Sequence, residues 1–181
     1  MAIPVPSVEE IPENMIVTLA SYGLFMINWS LLETVIEVAI SKQAEMHPLE
    51  GSIMTASLGF QARASILRSL LALDASQEGK DAIKEINLAT QEANRNLIIH
   101  GQVFAEGESL IFVHRKVDQS LTAKRLVVNS ETMLQRASKL KESIMRIQSL
   151  LSIADDDLHE FGKISQMLAI KAETSPTRSP S

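Results

Sequence analysis

Residues 14–32 read NMIVTLASYGLFMINWSLL and contain no charged side chain. Apolar residues at helical spacing begin in this stretch and continue to about Glu45, interrupted only by Gly23. At about 100° per residue the polar positions fall on one narrow stripe. The stripe consists of Asn14, Thr18, Ser21 and Asn28. More than half of the circumference is left apolar, which one neighbouring helix cannot cover. The pattern therefore predicts a long first helix that is either central or part of a subunit interface.

The same stretch is long enough to cross a bilayer. A spanning helix can hide a polar stripe inside a bundle, but Glu33 and Glu37 continue this apolar pattern and no basic cluster flanks either end. We therefore favour a buried helix of a soluble, cytoplasmic protein. Residues 1–13 carry three prolines and neither Lys nor Arg. They predict an extended N-terminal arm rather than a secretory signal.

Helical spacing recurs along the next part of the chain and then gives way to a strand pattern. It predicts a second helix over about 52–73 and a third over about 77–100, which Gly101 ends. Short β-prone runs follow at 110–113 and 126–128. A small β-hairpin is therefore expected at about 109–128.

A last helical pattern starts at Ser130 and reaches about residue 168. The acidic run at 155–157 either caps a new helix or lies on one solvated face, and the pattern leaves both open. Residues 172–181 predict a disordered tail. The predicted fold class is all-α: an antiparallel four- to five-helix bundle with a small β-hairpin before the last long helix, in one domain over 14–171.

Composition excludes several kinds of site. The 181 residues include no cysteine, so disulfides, thiolate metal sites and cysteine nucleophiles are ruled out. The histidines show no metal-ligand spacing, and the chain has no HExxH motif or glycine-rich phosphate loop. We predict neither a metal nor another cofactor. The net charge of −5 argues against broad affinity for nucleic acids.

One short segment carries candidate chemistry. Residues 92–101 read EANRNLIIHG. In a continuous helix, Glu92, Asn96 and His100 follow one another at four-residue steps on nearly one face. Arg95 lies about 140° from His100 by helical angle. Their joint action then requires a long side chain, a frayed last turn or a second copy of the chain.

The arrangement Arg95-Asn96-x-x-x-His100-Gly101 resembles the signature of the HEPN superfamily. A long first helix with Trp29-Ser-Leu-Leu-Glu33, followed by a second helix, extends the resemblance over residues 14–105. It implies a dimeric all-α bundle that acts as a metal-independent endoribonuclease or binds RNA, in a toxin, phage-defence or RNA-processing system. It also implies that two protomers form one composite site, and that an antitoxin or nucleotidyltransferase is a partner. Arg95, His100 and Asn96 would be catalytic, with Glu92 and Glu33 in support.

The residue types suit this chemistry. Histidine exchanges protons near neutral pH, as attack of an RNA 2′-hydroxyl on the adjacent phosphate requires. Arginine offers a permanent cationic fork to the phosphoryl oxygens, so it can replace a metal ion. Such cleavage leaves a 2′,3′-cyclic phosphate. The structural alternative is that His100 only caps a helix end while Arg95 forms a surface ion pair with Glu92.

Five basic positions of the predicted hairpin are candidates for RNA binding: His114, Arg115, Lys116, Lys124 and Arg125. A solvated hairpin is the more common explanation of such positions, because charged side chains are exposed by default. The rival function from another class is a non-catalytic helical dimerisation or interaction module. Both interpretations predict a homodimer, because the first helix has more apolar surface than one chain can cover.

Overall fold

The computed structural model describes residues 12–118 and 120–174, and most of these residues are helical. The helices are α1 (Glu13–Gln43), α2 (Pro48–Thr55), α3 (Phe60–Asp74), α4 (Gln77–Glu92), α5 (Arg95–Ile98), α6 (Ser130–Leu150) and α7 (Asp155–Thr174). Strands β1 (Gln102–Glu106), β2 (Ser109–Asp118) and β3 (Ser120–Val128) form an antiparallel sheet in the order β1-β2-β3. The protein is therefore helix-rich with a three-stranded sheet, and the predicted all-α class with one hairpin is wrong in this respect.

The strand that the sequence did not predict is β1, and it pairs with β2 because the chain reverses at Gly107. This residue has φ +58°, a left-handed conformation that glycine adopts without steric cost, and it allows a two-residue connection between β1 and β2. The predicted hairpin corresponds to β2 and β3, but its strands are longer than expected. Their pairing runs from Leu110↔Val128 to Asp118↔Ser120, through charged positions that we expected in the loop. Antiparallel strands accept polar side chains on a solvated face, so charge does not end the ladder.

The predicted second helix is two helices. The chain begins α2 four residues earlier than expected because Pro48 occupies the first turn and His47 caps it. His47 Nδ1 accepts a hydrogen bond from the Leu49 N–H at 3.2 Å, and Glu50 accepts one from the His47 N–H at 3.3 Å. After α2, Gly59 adopts an extended conformation and α3 starts with the fully buried Phe60. The break places Phe60 in the core.

The acidic run at 155–157 caps a new helix, which decides between the two options that the sequence left open. The chain leaves α6 after Leu150, passes Ser152 at φ +51°, and starts α7 at Asp155. The Ala154 N–H donates to Asp157 Oδ2 at 2.8 Å, and Lys42 Nζ donates to the same oxygen at 2.7 Å. These hydrogen bonds, that from Lys42 first, hold the pKa of Asp157 below its usual range.

We expect Asp157→Ala to lower the free energy of unfolding by about 1 kcal/mol at pH 7, the usual size for loss of a helix cap. Because folding lowers the pKa of Asp157, its stabilisation is present above the unfolded-state value near 4 and is lost as pH falls through the folded-state value. The difference from wild type should therefore vanish in acid. Urea unfolding at pH 7 and below pH 3 measures it. Asp156→Ala, in the same helical turn, is the matched control, and an equal loss there would contradict the assignment.

The described residues form two compact units. The sheet unit contains residues 12–30, 87–118 and 120–143, and the helical unit contains residues 31–86 and 144–174. Aromatic and aliphatic side chains fill the core of each unit. In the sheet unit they include Met15, Phe25, Trp29, Ile98, Leu110, Phe112, Val128, Met133 and Leu140. In the helical unit they include Leu32, Ile36, Phe60, Leu67, Leu71, Ile86, Ile144, Ile147 and Phe161.

In the helical unit, α1 and α2 approach each other at a glycine. A Cβ atom at Gly51 would overlap Ser41 Oγ and lie 2.8 Å from Ser41 Cβ. We therefore expect Gly51→Ala to destabilise the protein by about 1–3 kcal/mol, as overpacking does. Ser41→Gly should recover most of that loss in the double variant, because it removes both atoms. Chemical unfolding of the single and double variants provides the test, and strictly additive losses would show that the two residues do not compete for space.

Helix α1 is long and apolar enough to span a membrane by length and composition, with a mean hydropathy of 1.6 over its most apolar 18-residue window. Core helices of soluble proteins and signal sequences pass the same test, so a cytoplasmic location stays a proposal. Residues 1–11 of the predicted arm and 175–181 of the predicted tail lie outside the described residues. The single domain over 14–171 also stays a prediction.

Candidate functional site

The segment that carries the motif is not one continuous helix. Helix α4 ends at Glu92, and Asn94 adopts a left-handed conformation with φ +46°. Asparagine is among the few residue types that accept this conformation readily. The Asn94 carbonyl then accepts hydrogen bonds from the N–H groups of Leu97 and Ile98, at 2.9 and 3.1 Å, and opens α5. The predicted helix over 77–100 therefore holds only to Glu92, and the regular four-residue ladder from Glu92 to His100 is interrupted.

Apolar contacts and one glycine hold the backbone of the motif. Leu97 and Ile98 are buried in the sheet unit. The Gly101 N–H donates to the Leu97 carbonyl at 3.1 Å. A Cβ atom at Gly101 would overlap that carbonyl oxygen and lie 3.3 Å from the Val113 oxygen. A residue with a side chain cannot occupy position 101 without a backbone shift, so the direct passage from α5 into β1 requires glycine.

This passage places His100 beside the basic part of the sheet. His100 is exposed in the turn after α5, two residues before Gln102, whose partner on β2 is Val113. The next residue on β2 is His114, which pairs with Lys124 on β3. Helix α5 packs against both of these strands. The structure therefore brings His100 near the strand segment that contains His114, Arg115 and Lys124.

The five basic positions of the hairpin do not form one patch. Directly paired residues of antiparallel strands share a face, and neighbours along a strand alternate. His114 and Lys124 thus lie on one face, whereas Arg115 and Arg125 lie on the other. The backbone of Lys116 pairs with Thr122. Arg125 Nη2 lies 3.2 Å from Glu106 Oε2 of β1, so its charge is already paired.

Other proposed site residues have different positions. Arg95 and Asn96 lie in α5 and Glu92 ends α4, while the side chains of these three residues and of Lys116 lie outside the described part of the chain. Glu33 belongs to the helical unit, where Arg63 Nη2 lies 3.7 Å from Glu33 Oε1. Arg63 also forms an ion pair with Glu37. The local partner of Glu33 is therefore a partly buried arginine of its own unit.

The face of the sheet that bears His114 also contains its aromatic core. Phe112, two residues before His114 on β2, is fully buried and packs against Tyr22 of α1 with ring centroids 5.5 Å apart. Burial raises the pKa of Tyr22, so the phenol stays neutral at physiological pH. The cationic groups thus lie at the exposed end of a strand whose other end is anchored in the core.

Metal-ligating residues do not converge in the described ranges: no three His, Asp or Glu side chains there form a group that could hold a metal ion. Comparisons with protein-family models, with curated proteins and with solved structures found no match to this chain. The functional argument therefore rests on the motif and on the geometry around it.

The sequence-based interpretation missed two contributors to this geometry. Asn94 redirects the chain through its left-handed conformation. The available signal was that asparagine tolerates this conformation. The signal was missed because Ala93, Leu97 and Ile98 continue the apolar helical pattern across it. Glu106 neutralises Arg125, and it went unnoticed because β1 itself was not predicted. The available signal for that strand was the β-prone pair Val103-Phe104 followed by a glycine at 107.

Proposed function

We propose that this protein is a HEPN-like, metal-independent endoribonuclease that works as a homodimer in a toxin or phage-defence system. The observation that carries the proposal is the Arg95-Asn96-x-x-x-His100 motif on a short helical turn whose Leu97 and Ile98 are buried while His100 is exposed. Buried neighbours fix the backbone, so the exposed histidine has a defined position. A positioned acid–base group at the surface is what cleavage of a large polymer requires.

The proposed role of each site residue follows from the chemistry of its side chain. His100 accepts the proton of the RNA 2′-hydroxyl as its oxygen bonds to the adjacent phosphorus, and the imidazolium returns a proton to the 5′-oxygen as the P–O5′ bond breaks. Arg95 stabilises the negative charge that grows on the phosphoryl oxygens. His114 and Lys124, on one face of β2 and β3, bind flanking phosphates. Binding through phosphates also fits an aromatic content of only 4%, which leaves few rings for base stacking.

The break at Asn94 lies before both Arg95 and His100, so it does not by itself change the angle between them. In a continuous helix that angle is about 140°. The Gly101 N–H still donates to the Leu97 carbonyl, so the last turn keeps a helical hydrogen bond, and joint action requires a long side chain or a second copy of the chain. We keep the composite site of two protomers as part of the proposal, since it follows from the resemblance and can be tested by mixing variants.

The proposal predicts that the purified protein cuts single-stranded RNA in EDTA, because no step uses a metal ion. The products should carry 2′,3′-cyclic phosphate ends, which resist ligation until a phosphatase with cyclic-phosphate activity opens them. Mass spectrometry of short oligonucleotide products identifies the ends directly. Cleavage that stops in EDTA, or that leaves 3′-hydroxyl ends, would contradict the proposal.

A second function, a non-catalytic helical interaction module, is favoured by one separate observation. Large aliphatic side chains of α1 point outward, and the net charge of −5 opposes the phosphate backbone of RNA. A dimer that neither cuts nor binds RNA would support this function instead. Gel-shift and cleavage assays at low salt separate the two, because residual RNA binding is strongest under that condition.

A further inference from the structure

In the first half of α1 the buried face includes polar residues beside Met15, Phe25 and Trp29, while several large aliphatic residues face outward. Thr18, Ser21 and Asn28 are buried and hydrogen-bonded: Thr18 donates to the Glu108 carbonyl at 2.9 Å, Ser21 to the Val17 carbonyl at 2.8 Å and Asn28 to the Ala137 carbonyl at 2.9 Å. Five large aliphatic side chains are instead exposed by 40–67%. They are Ile16, Val17, Leu19, Leu24 and Ile27.

The centre of this exposed face consists of two small residues between two isoleucines. We call these four residues the α1 row: Ile16, Ala20, Gly23 and Ile27. They are spaced by four, three and four residues and lie within about 60° of one another around the helix. No atom lies within 4 Å of the position that a Cβ of Gly23 would occupy. Two large side chains thus flank an open, shallow centre.

This spacing reads the same in both directions along the helix. If a second α1 packs antiparallel about a two-fold axis, Ile16 meets Ile27, and Ala20 meets Gly23. The flanking Leu19 and Leu24 meet each other in the same register. Large residues then face large ones at the ends, and small ones face small ones where the helices approach most closely. A face that is complementary to itself on reversal is what an isologous contact requires.

The exposed aliphatic area supplies most of what such a contact needs. At about 180 Å² for a fully exposed aliphatic residue, the five exposed side chains present roughly 450 Å² per copy, within the range of about 300–600 Å² for the largest apolar patch on a monomer. Two copies would bury roughly 900 Å² from these side chains, and the residues around them would have to add about 300 Å² to reach the roughly 1,200 Å² at which specific interfaces begin.

A membrane fits the same surface less well. The second half of α1 lies in the helical unit, where Val35, Ile36 and Ala39 are buried by protein, so the helix cannot span a bilayer in this fold. The exposed half carries no Lys or Arg, which surface-bound helices use to hold anionic lipids.

We propose that the α1 row is the dimerisation surface of this protein, and that a second copy of α1 packs on it antiparallel with Ala20 opposite Gly23.

The proposal names the surface for the homodimer of the proposed function, but it rests on α1 alone. Gly23→Arg introduces a charge at the centre of the row without a clash and without a helix penalty, since arginine is the better helix former. We expect wild type at twice the 19.9 kDa chain mass in light scattering at micromolar concentration, and the variant at the chain mass. Gly162→Arg, at another helical glycine with open space, is the matched control and should stay dimeric.

Cysteine pairs test the register, because the chain has no cysteine of its own. Ala20→Cys mixed with Gly23→Cys should give a mixed disulfide under mild oxidation, whereas each variant alone should cross-link several-fold less. A disulfide needs Cα atoms within about 7 Å, a distance that only facing small residues allow between helices. Equal cross-linking of the single variants would overturn the antiparallel register.

Three results would overturn the proposed surface: a monomeric wild type, a dimeric Gly23→Arg, or wild-type binding to phosphatidylcholine–phosphatidylserine vesicles that Gly23→Arg abolishes while the chain stays monomeric in solution. The ribonuclease proposal is judged separately by cleavage in EDTA. A wild-type dimer that does not cut RNA refutes the ribonuclease and leaves the interface intact. A monomeric wild type that cuts RNA refutes the interface and the composite site, and leaves the metal-independent cleavage by Arg95 and His100 intact.

Discussion

His100→Ala should lower the rate of RNA cleavage in EDTA by about a hundredfold or more, the usual scale for loss of a positioned acid or base. The variant should keep its fold, because His100 is exposed and lies outside the regular elements. His159→Ala, at another exposed histidine, is the control and should cleave at the wild-type rate. The pH–rate profile adds a readout that a structural role would not affect: removal of the group that exchanges the proton should remove one limb of the profile.

Arg95 provides the companion result for the same site. Arg95→Ala should lose activity on a similar scale, and Arg95→Lys should recover little, because an ammonium cannot reproduce the bidentate fork of a guanidinium. A mixture of Arg95→Ala and His100→Ala tests the shared site. Recovery of activity after subunit exchange supports a site formed from two chains. Full activity of His100→Ala alone would refute the assignment of both residues, whatever the fold.

Gly101→Ala should have the second-largest effect. Its methyl group would overlap the Leu97 carbonyl, so either α5 loses its last hydrogen bond or β1 moves away from Val113. We expect a loss of about 1–3 kcal/mol in the free energy of unfolding, the cost of overpacking. Cleavage should fall at least tenfold at temperatures where circular dichroism still shows a folded chain, because a displacement of about 1 Å can cost a hundredfold in rate.

Gly162→Ala is the control for that experiment, because open space surrounds Gly162 in α7. It should leave cleavage unchanged and hold or raise stability, since alanine is the better helix former. If Gly101→Ala were as stable and as active as wild type, the backbone at the end of α5 would not be the element that positions His100.

Long periodic segments were predictable, as was the break between about 73 and 77, but other interruptions were not. The extents of α1 and of the helical stretch from Ser130 follow from apolar spacing over many turns. The break inside the predicted third helix and the break near 155–157 that the sequence left open contain single residues in left-handed conformations, Asn94 and Ser152. Serine gives almost no signal for this conformation, because the surrounding tertiary structure and not the residue itself selects it.

The candidate site was predictable in composition but not in geometry. The motif named Arg95 and His100 from their types and spacing, and the sheet residues from their charge. Which basic residues share a face depends on strand register, and register follows from the turn at Gly107 and from pairing across more than ten residues. The orientation of α1 was hidden for a related reason. Its polar side chains are buried because distant carbonyls of Glu108 and Ala137 accept their hydrogen bonds.

Those two hydrogen bonds also have a consequence for folding during synthesis. Thr18 and Asn28 cannot form them until the residues 90 and 109 positions further along the chain have been made. At about 5–20 residues per second, the ribosome makes that length in roughly 5–20 s. During this interval α1 belongs to a nascent chain in which Thr18 and Asn28 lack these hydrogen-bond partners and the α1 row is uncovered. The apolar face of α1 is therefore exposed before its own partners have been made, and this stage of synthesis is the one at which the chain is most prone to aggregate.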